Sequence, residues 1–216
     1  MIELTVFLGN PGREYSRNRH NAGFLLAEKL PFYSALSWQK KFSGLYADMD
    51  KSRLAEHSSN ELPSREDSRL HFIKPETFMN LSGKSVSQAA SFFKIKSEAV
   101  LVVHDELELP LGTISLKSGG GLGGHNGLRS MKDCLGTADF WRLRIGIGRP
   151  DNRSPGEGGP PGSGVGIVDW VLSNFSTTEA EAMDRILVTA SELLLRALAN
   201  GPGGLLPEWA KKKVIE

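Results

Sequence analysis

His20 stands in RNRHNAG, just ahead of a segment with helical spacing, and Asp105 stands in VVHDELEL, at the end of a continuous apolar run. An imidazole at a helix N-terminus is disfavoured as a cation, so it stays available as a neutral base. A carboxylate at the edge of a buried strand is costly unless an imidazole or a cation answers it. Together the two residue types suit a His–Asp pair that activates water, where proton transfer contributes roughly 10²- to 10⁴-fold. His104 and His125 are equally eligible partners for Asp105, and spacing does not choose among the three.

Asn10 in LGNPG, Asn80 in MNLSG and Asn126 in GHNG fall at other element ends. Turn and cap preferences explain each one taken singly. Their coincidence with His20 and Asp105 points instead to a site, because side-chain amides offer donors and an acceptor to a carbonyl or an oxyanion. No serine lies in a GxSxG elbow, so water is the expected nucleophile. The run GGGLGGHNG ahead of a helix invites a phosphate cradle, but no Walker lysine or ribose-binding acid accompanies it. HExxH and cysteine pairs are absent, so neither a metal nor a cofactor is expected. The one cysteine, Cys134, reads as a core filler and fits a reducing compartment.

The elements that must position these residues alternate. Leu4–Leu8, Lys41–Met49, Leu70–Ile73, Ala99–Val103, Thr113–Leu116 and Arg142–Ile147 read as strands. Ala22–Leu30, the stretch from Ser82 through Val86, Ala89, Ala90 and Phe93, the stretch through Leu128, Met131 and Leu135, and Thr177–Ala199 read as helices. This order predicts one α/β domain over residues 1–216, with a twisted, mixed, mostly parallel sheet flanked by helices. Residues 50–69 are polar and charged, as expected of a long surface hairpin or partly disordered loop. Residues 152–166 are too rich in Gly and Pro to bury a core and read as a flexible loop.

Twenty-six Lys and Arg balance 25 Asp and Glu, so any polyanionic partner must be met by a local patch. The N-terminus lacks signal-peptide order, and no stretch approaches the roughly 20 apolar residues of a membrane helix, so a soluble, intracellular chain is expected.

Taken together, the segments VFLGNPGREYSRNRHNAGF (6–24), KPETFMNLSGKSV (74–86), VVHDELELPLGTISLKSGGGLGGHNGLRSM (102–131) and FWRLRIGIGRP (140–150) resemble the bacterial and organellar peptidyl-tRNA hydrolases. The resemblance implies hydrolysis of the ester joining a peptide or N-blocked amino acid to tRNA. It implies His20 as catalytic base, Asp105 as its support, and Asn10 as a site residue that selects blocked amino groups. It also implies that Tyr15, Phe78, Asn80 and Asn126 hold the peptidyl and 3′-terminal adenosine parts of the substrate, with Asn126 near the attacking water. Lys117, Arg129 and Arg144 fall on the family's basic, tRNA-facing surface. The implied partner is therefore the acceptor stem and 3′ end of peptidyl-tRNA, met by a cytoplasmic or organellar monomer with no obligate protein partner, no membrane and no cofactor.

Several positions depart from the family pattern. Ser115 stands where a lysine is usual, Asn18 where a threonine is usual, and both 50–69 and 152–166 look long. The second segment matches a lid expected to be mobile, to affect substrate binding and to be dispensable for chemistry. The rival reading is a splicing factor of the same fold that binds RNA without hydrolysis; retention of Asn10, His20, Asn80, Asp105 and Asn126 together favours the enzyme. A nucleotide- or anion-binding module has little support beyond the glycines.

Overall fold

The computed structural model describes residues 1–57, 68–150 and 166–215. The chain forms β1 (Leu4–Phe7), α1 (Ala22–Glu28), β2 (Gln39–Lys41), β3 (Gly44–Asp50), β4 (Arg69–Pro75), α2 (Ser82–Phe93), β5 (Val100–Glu106), β6 (Thr113–Ser118), α3 (Asn126–Leu135), β7 (Trp141–Gly146), α4 (Ile167–Leu172), α5 (Thr177–Asn200), α6 (Leu206–Trp209) and β8 (Lys212–Lys213). The strands make one sheet in the order β2-β3-β4-β1-β5-β7-β6-β8. Its centre is parallel, β4 to β1 to β5 to β7, and both flanks are antiparallel. The central strands β1 and β5 are buried along their whole length, which is why apolar residues run together in Val100–Val103 rather than alternating with polar ones.

Helices cover both faces. Leu101 and Val103 of β5 join Leu26 of α1 and Ile186, Leu193 and Leu194 of α5 in one core cluster. Val100 and Val102 point the other way, to Val86 and Ala89 of α2 and Leu128 and Met131 of α3. The long α5 starts on a capping box, in which the Ser176 hydroxyl accepts from the Glu179 N–H and the Glu179 carboxylate accepts from the Ser176 N–H. No helix among the described residues is long and apolar enough to cross a membrane.

Three expectations change. The strand expected over Lys41–Met49 is two strands, because Phe42 and Ser43 adopt φ of 55° and 54° and reverse the chain between β2 and β3. Neither residue type advertises a left-handed turn; the Phe42 ring, 5.4 Å from that of Phe92 and 5.6 Å from that of Phe93, is the packing contact that accompanies it. The strand expected to stop at Val103 runs on through His104, Asp105 and Glu106, which pair with Arg144, Ile145 and Gly146 of β7. Cys134 is exposed on α3 and fills no core. The connection between the antiparallel β3 and β4 is described as far as a 3-10 turn at Lys51–His57 that buries Leu54, and the rest of it, 58–67, lies outside the described residues. The expected lid, 152–166, likewise lies outside them as far as residue 165.

Gly23 seats α1 on the sheet. A Cβ there would lie 2.5 Å from the Leu8 carbonyl oxygen and 2.6 Å from that of Val103, both backbone atoms that cannot step aside. Gly23→Ala is therefore expected to lower unfolding stability by about 1–3 kcal/mol in a urea titration, despite alanine's better helix propensity.

Candidate active site

Three segments meet at the carboxyl ends of the parallel strands, where open α/β sheets form their ligand crevices. β1 leads into the loop that carries Asn10, β5 carries Asp105 one residue before its end, and a 3-10 turn at Arg19–Asn21 leads into α1. The turn brings His20 over Asp105 across 85 residues of sequence, with Nδ1 2.9 Å from Oδ1 and 3.0 Å from Oδ2. Asp105 is 2% exposed and His20 8%. A carboxylate only accepts, so His20 carries its proton on Nδ1 and leaves the Nε2 lone pair as the basic end.

Asp105 has a second imidazole. His125 caps α3: its Nδ1 accepts from the N–H groups of Gly127, at 3.1 Å, and Leu128, at 3.4 Å. An Nδ1 used as acceptor puts the proton on Nε2, which donates to Asp105 Oδ1 at 3.1 Å. The buried carboxylate thus receives two N–H groups, and the rings of His20 and His125 sit 4.9 Å apart. The third candidate, His104, turns away: its Nδ1 donates to the Asp105 backbone carbonyl at 2.6 Å, and burial, then the neighbouring His125, holds its pKa well below the ordinary value.

Ligand atoms of His20, Asp105 and His125 lie within 4.8 Å of one another, close enough to hold a metal ion. The hydrogen bonds fit protons better. A cation on His125 Nε2 would drive the proton to Nδ1, where two N–H donors already converge. The same cap answers the phosphate cradle, because the N–H groups that would bind an anion are taken by His125. The Gly-rich loop is instead pinned from below by buried Arg142, which donates to the carbonyls of Gly121 at 2.7 Å and Gly120 at 2.9 Å.

Asn10 is buried and fixed at both ends. Asn21 grips its backbone, accepting from the Asn10 N–H at 2.8 Å and donating to its carbonyl at 3.0 Å. The Asn10 Oδ1 accepts from the Met79 N–H at 2.8 Å, so its amide NH₂ is the end left to offer. The same bond ties Asn10 to the Met79–Leu81 turn that carries exposed Asn80. Tyr15 and Phe78 meet edge-to-face with centroids 6.4 Å apart, Phe78 remaining 56% exposed. Asn126, exposed, follows His125 as the first residue of α3.

The basic residues divide. Lys117 on β6 is half-buried and Arg129 on α3 is exposed, and neither cation is in an ion pair among the described residues. Arg144 on β7 is engaged, its Nε 3.0 Å and Nη2 2.9 Å from Glu106 Oε2, and Nη1 donates to the Ser115 hydroxyl at 3.2 Å. Ser115 is itself fully buried, so that position faces the interior. Sequence alone offers His125 only as a rival to His20 and gives Asn21 no role; the pairing of GHN with HDE across the sheet end carries no local signal.

Burial pushes the His20 pKa down, but the charge of Asp105 and its hydrogen bond outweigh it, so the net shift is upward from 6.5. The pairing with His20 and His125 holds Asp105 far below the usual carboxylate range, against its burial. The neutral base is therefore lost as pH falls through the raised His20 value, and the pair's stabilisation is present below the ordinary histidine value and lost as pH rises through the raised one. In Asp105→Asn, burial acts unopposed and the His20 ring should titrate below 6.5 by NMR; a titration unchanged from the parent would contradict this electrostatic assignment.

Residues 4–214 match the family model described as peptidyl-tRNA hydrolase. A relative of that name from Treponema pallidum is 45% identical over 217 residues, covering 99% of this chain and 97% of its own. Another, from Trichlorobacter lovleyi, is 41% identical over 210 residues, covering 97% and 95%. The crystal structure of peptidyl-tRNA hydrolase from Acinetobacter baumannii superposes with a TM-score of 0.74 at 33% identity, over 96% of this chain and 91% of that one.

Proposed function

Because the chain belongs to the peptidyl-tRNA hydrolase family, and so is a hydrolase of the peptidyl-tRNA ester, we propose that His20 is its general base, Asp105 the group that orients and charges that base, and Asn10 the selector of the substrate's blocked amino group. The observation that carries the assignment is the double contact of His20 Nδ1 with Asp105, which leaves Nε2 free to take a proton. In this reading Nε2 accepts a proton from water as the water oxygen bonds to the ester carbonyl carbon. The imidazolium formed beside the Asp105 carboxylate then gives that proton to the departing ribose oxygen. Asn126, beside His125 at the start of α3, is suited to orient the water, and side-chain amides at the site to meet the developing oxyanion.

The orientation of Asn10 supplies a reason for selectivity. Its oxygen is occupied by the Met79 N–H, so what it presents is a donor. An acylated amino group brings a carbonyl acceptor to that donor, whereas a free α-ammonium brings only donors. Half-buried Tyr15 with exposed Phe78 and Asn80 forms the adjoining surface suited to the peptidyl moiety and terminal adenosine. Exposed Phe78 offers a ring face for base stacking. Lys117 and Arg129 are the cations available to acceptor-stem phosphates, and Arg144, paired with Glu106, contributes at one remove. We read the protein as a single domain acting as a cytoplasmic monomer, without a cofactor or an obligate protein partner. The non-catalytic RNA-binding alternative has no observation in its favour.

The direct test compares an N-blocked aminoacyl-tRNA with its unblocked counterpart. Release of the blocked amino acid alone is expected, with kcat/KM reduced at least 10²-fold in His20→Ala and turnover unaffected by EDTA. Activity that survives His20→Ala in the folded protein would overturn the mechanism, and equal hydrolysis of both substrates would overturn the role of Asn10. Separately, Lys117→Ala and Arg129→Ala should each raise KM for tRNA substrates regardless of tRNA sequence and reduce the salt slope of binding by about one.

A further inference from the structure

Arg19, one residue before His20, is 3% exposed, and its guanidinium points away from the catalytic base. Nη2 donates to Glu179 Oε2 at 2.6 Å, and Nη1 donates to the Ser173 hydroxyl at 2.8 Å and to the Asn174 carbonyl. The guanidinium carbon lies 3.9 Å from the centroid of the Trp170 ring and 5.0 Å from that of Phe175. The main chain repeats the attachment: the Arg19 N–H donates to the Ser173 carbonyl at 3.0 Å, and Asn18 bridges to Asn174. Every partner belongs to the corner between α4 and α5. That corner is itself tied down, since Glu179 closes the capping box of α5 and Trp170 Nε1 donates to the Gly148 carbonyl at 2.8 Å, just beyond β7.

The turn that needs this attachment is weak by itself. Arg19–Asn21 is a three-residue 3-10 turn without a side-chain cap at either end, and such short turns hold their shape through tertiary contacts. Yet it carries both His20, which must face two carboxylate oxygens, and Asn21, which grips Asn10. A buried guanidinium is a poor way to gain stability, because well-packed apolar residues do as well without desolvating a charge. Its planar fork is a good way to fix one orientation.

We propose that Arg19 is a positioning residue for hydrolysis: it locks the His20 turn to the α4–α5 corner, so that the base meets Asp105 and the Asn21–Asn10 clamp stays closed. Arg19 touches neither reacting atom nor substrate in this assignment, which rests on His20 as base.

Arg19→Met, Arg19→Lys and Glu179→Gln, made in the full chain, provide the test, read as kcat and KM on N-blocked aminoacyl-tRNA and as the NMR titration of His20. The groups facing the His20 ring, Asp105 and His125, are untouched in all three. Arg19→Met is expected to lower kcat at least 10-fold, change KM little, and move the His20 titration downward as contact with Asp105 loosens. Arg19→Lys, with its charge but no fork, should recover only part of the rate. Glu179→Gln, which keeps an acceptor for Nη2, should shift both readouts the same way by less, and it decides the matter if Arg19→Met fails to fold. Parental kcat and His20 titration in folded Arg19→Met, or in Glu179→Gln when the former does not fold, would overturn the proposal, as would full rescue by lysine. A His20 titration that shifts in a protein whose His20→Ala variant still turns over would fault the base assignment and with it the role of Arg19 in hydrolysis, and would leave only the anchoring of the turn.

Discussion

A carboxylate buried to 2% exposure at the end of a central strand sets the terms for everything around it. Asp105 cannot shed its charge into solvent, so it must be answered by donors. Two imidazoles do so, and each is held in a required tautomer by a different part of the fold. His125 is fixed by the backbone N–H groups of α3, and His20 by the carboxylate itself. The result is an electrostatic arrangement in which the proton affinity of His20 rises although burial alone would lower it. The same carboxylate therefore orients the His20 imidazole and stabilises the cation that proton uptake creates.

That arrangement is only as good as the elements beneath it. β1 and β5 are neighbours in the parallel centre of the sheet, so the loop bearing Asn10 and the strand end bearing Asp105 emerge side by side. α1 approaches the sheet closely at Gly23, where a Cβ would crowd the Leu8 and Val103 carbonyl oxygens. The Asn21–Asn10–Met79 chain of hydrogen bonds then links three separate segments into one surface. A cavity of about 570 Å³ lies between α1 and α5, lined by residues that include Leu25, Phe175 and Asp184, but none of Asn10, His20 or Asp105 faces it. The cluster of Asn10, His20 and Asp105 lies instead at the carboxyl ends of the parallel strands, buried, with exposed Asn80 next to Met79, whose N–H donates to Asn10, and exposed Asn126 next to His125.

Charge is handled locally because the chain as a whole is nearly neutral. Arginines that look alike in sequence have different duties. Arg142 is buried and holds the carbonyls of the Gly-rich loop, Arg144 is committed to Glu106, and Arg19 reaches the α4–α5 corner. Arg129, by contrast, is exposed and in no ion pair among the described residues. The pattern RLR on β7 cannot announce this, because alternation along a strand fixes opposite faces and not the partners found there.

Much of the architecture was legible before folding. Continuous apolar runs marked the central strands, 3.6-residue spacing marked α2, α3 and α5, and the order of the two periods specified an α/β sheet. The residue types also declared a base, a buried acid and several amides at strand ends. The partner of Asp105 was not legible from spacing, since His20, His104 and His125 are chemically identical and the contact spans 85 residues. Nor was the Phe42–Ser43 reversal, where aromatic packing accompanies a backbone conformation those residues seldom adopt, or the attachment of Arg19 to residues more than 150 positions away. Local pattern records what each segment prefers and buries. Which lone pair faces which proton depends on distances of about 3 Å between segments remote in the chain, and only the packed sheet and helices set those.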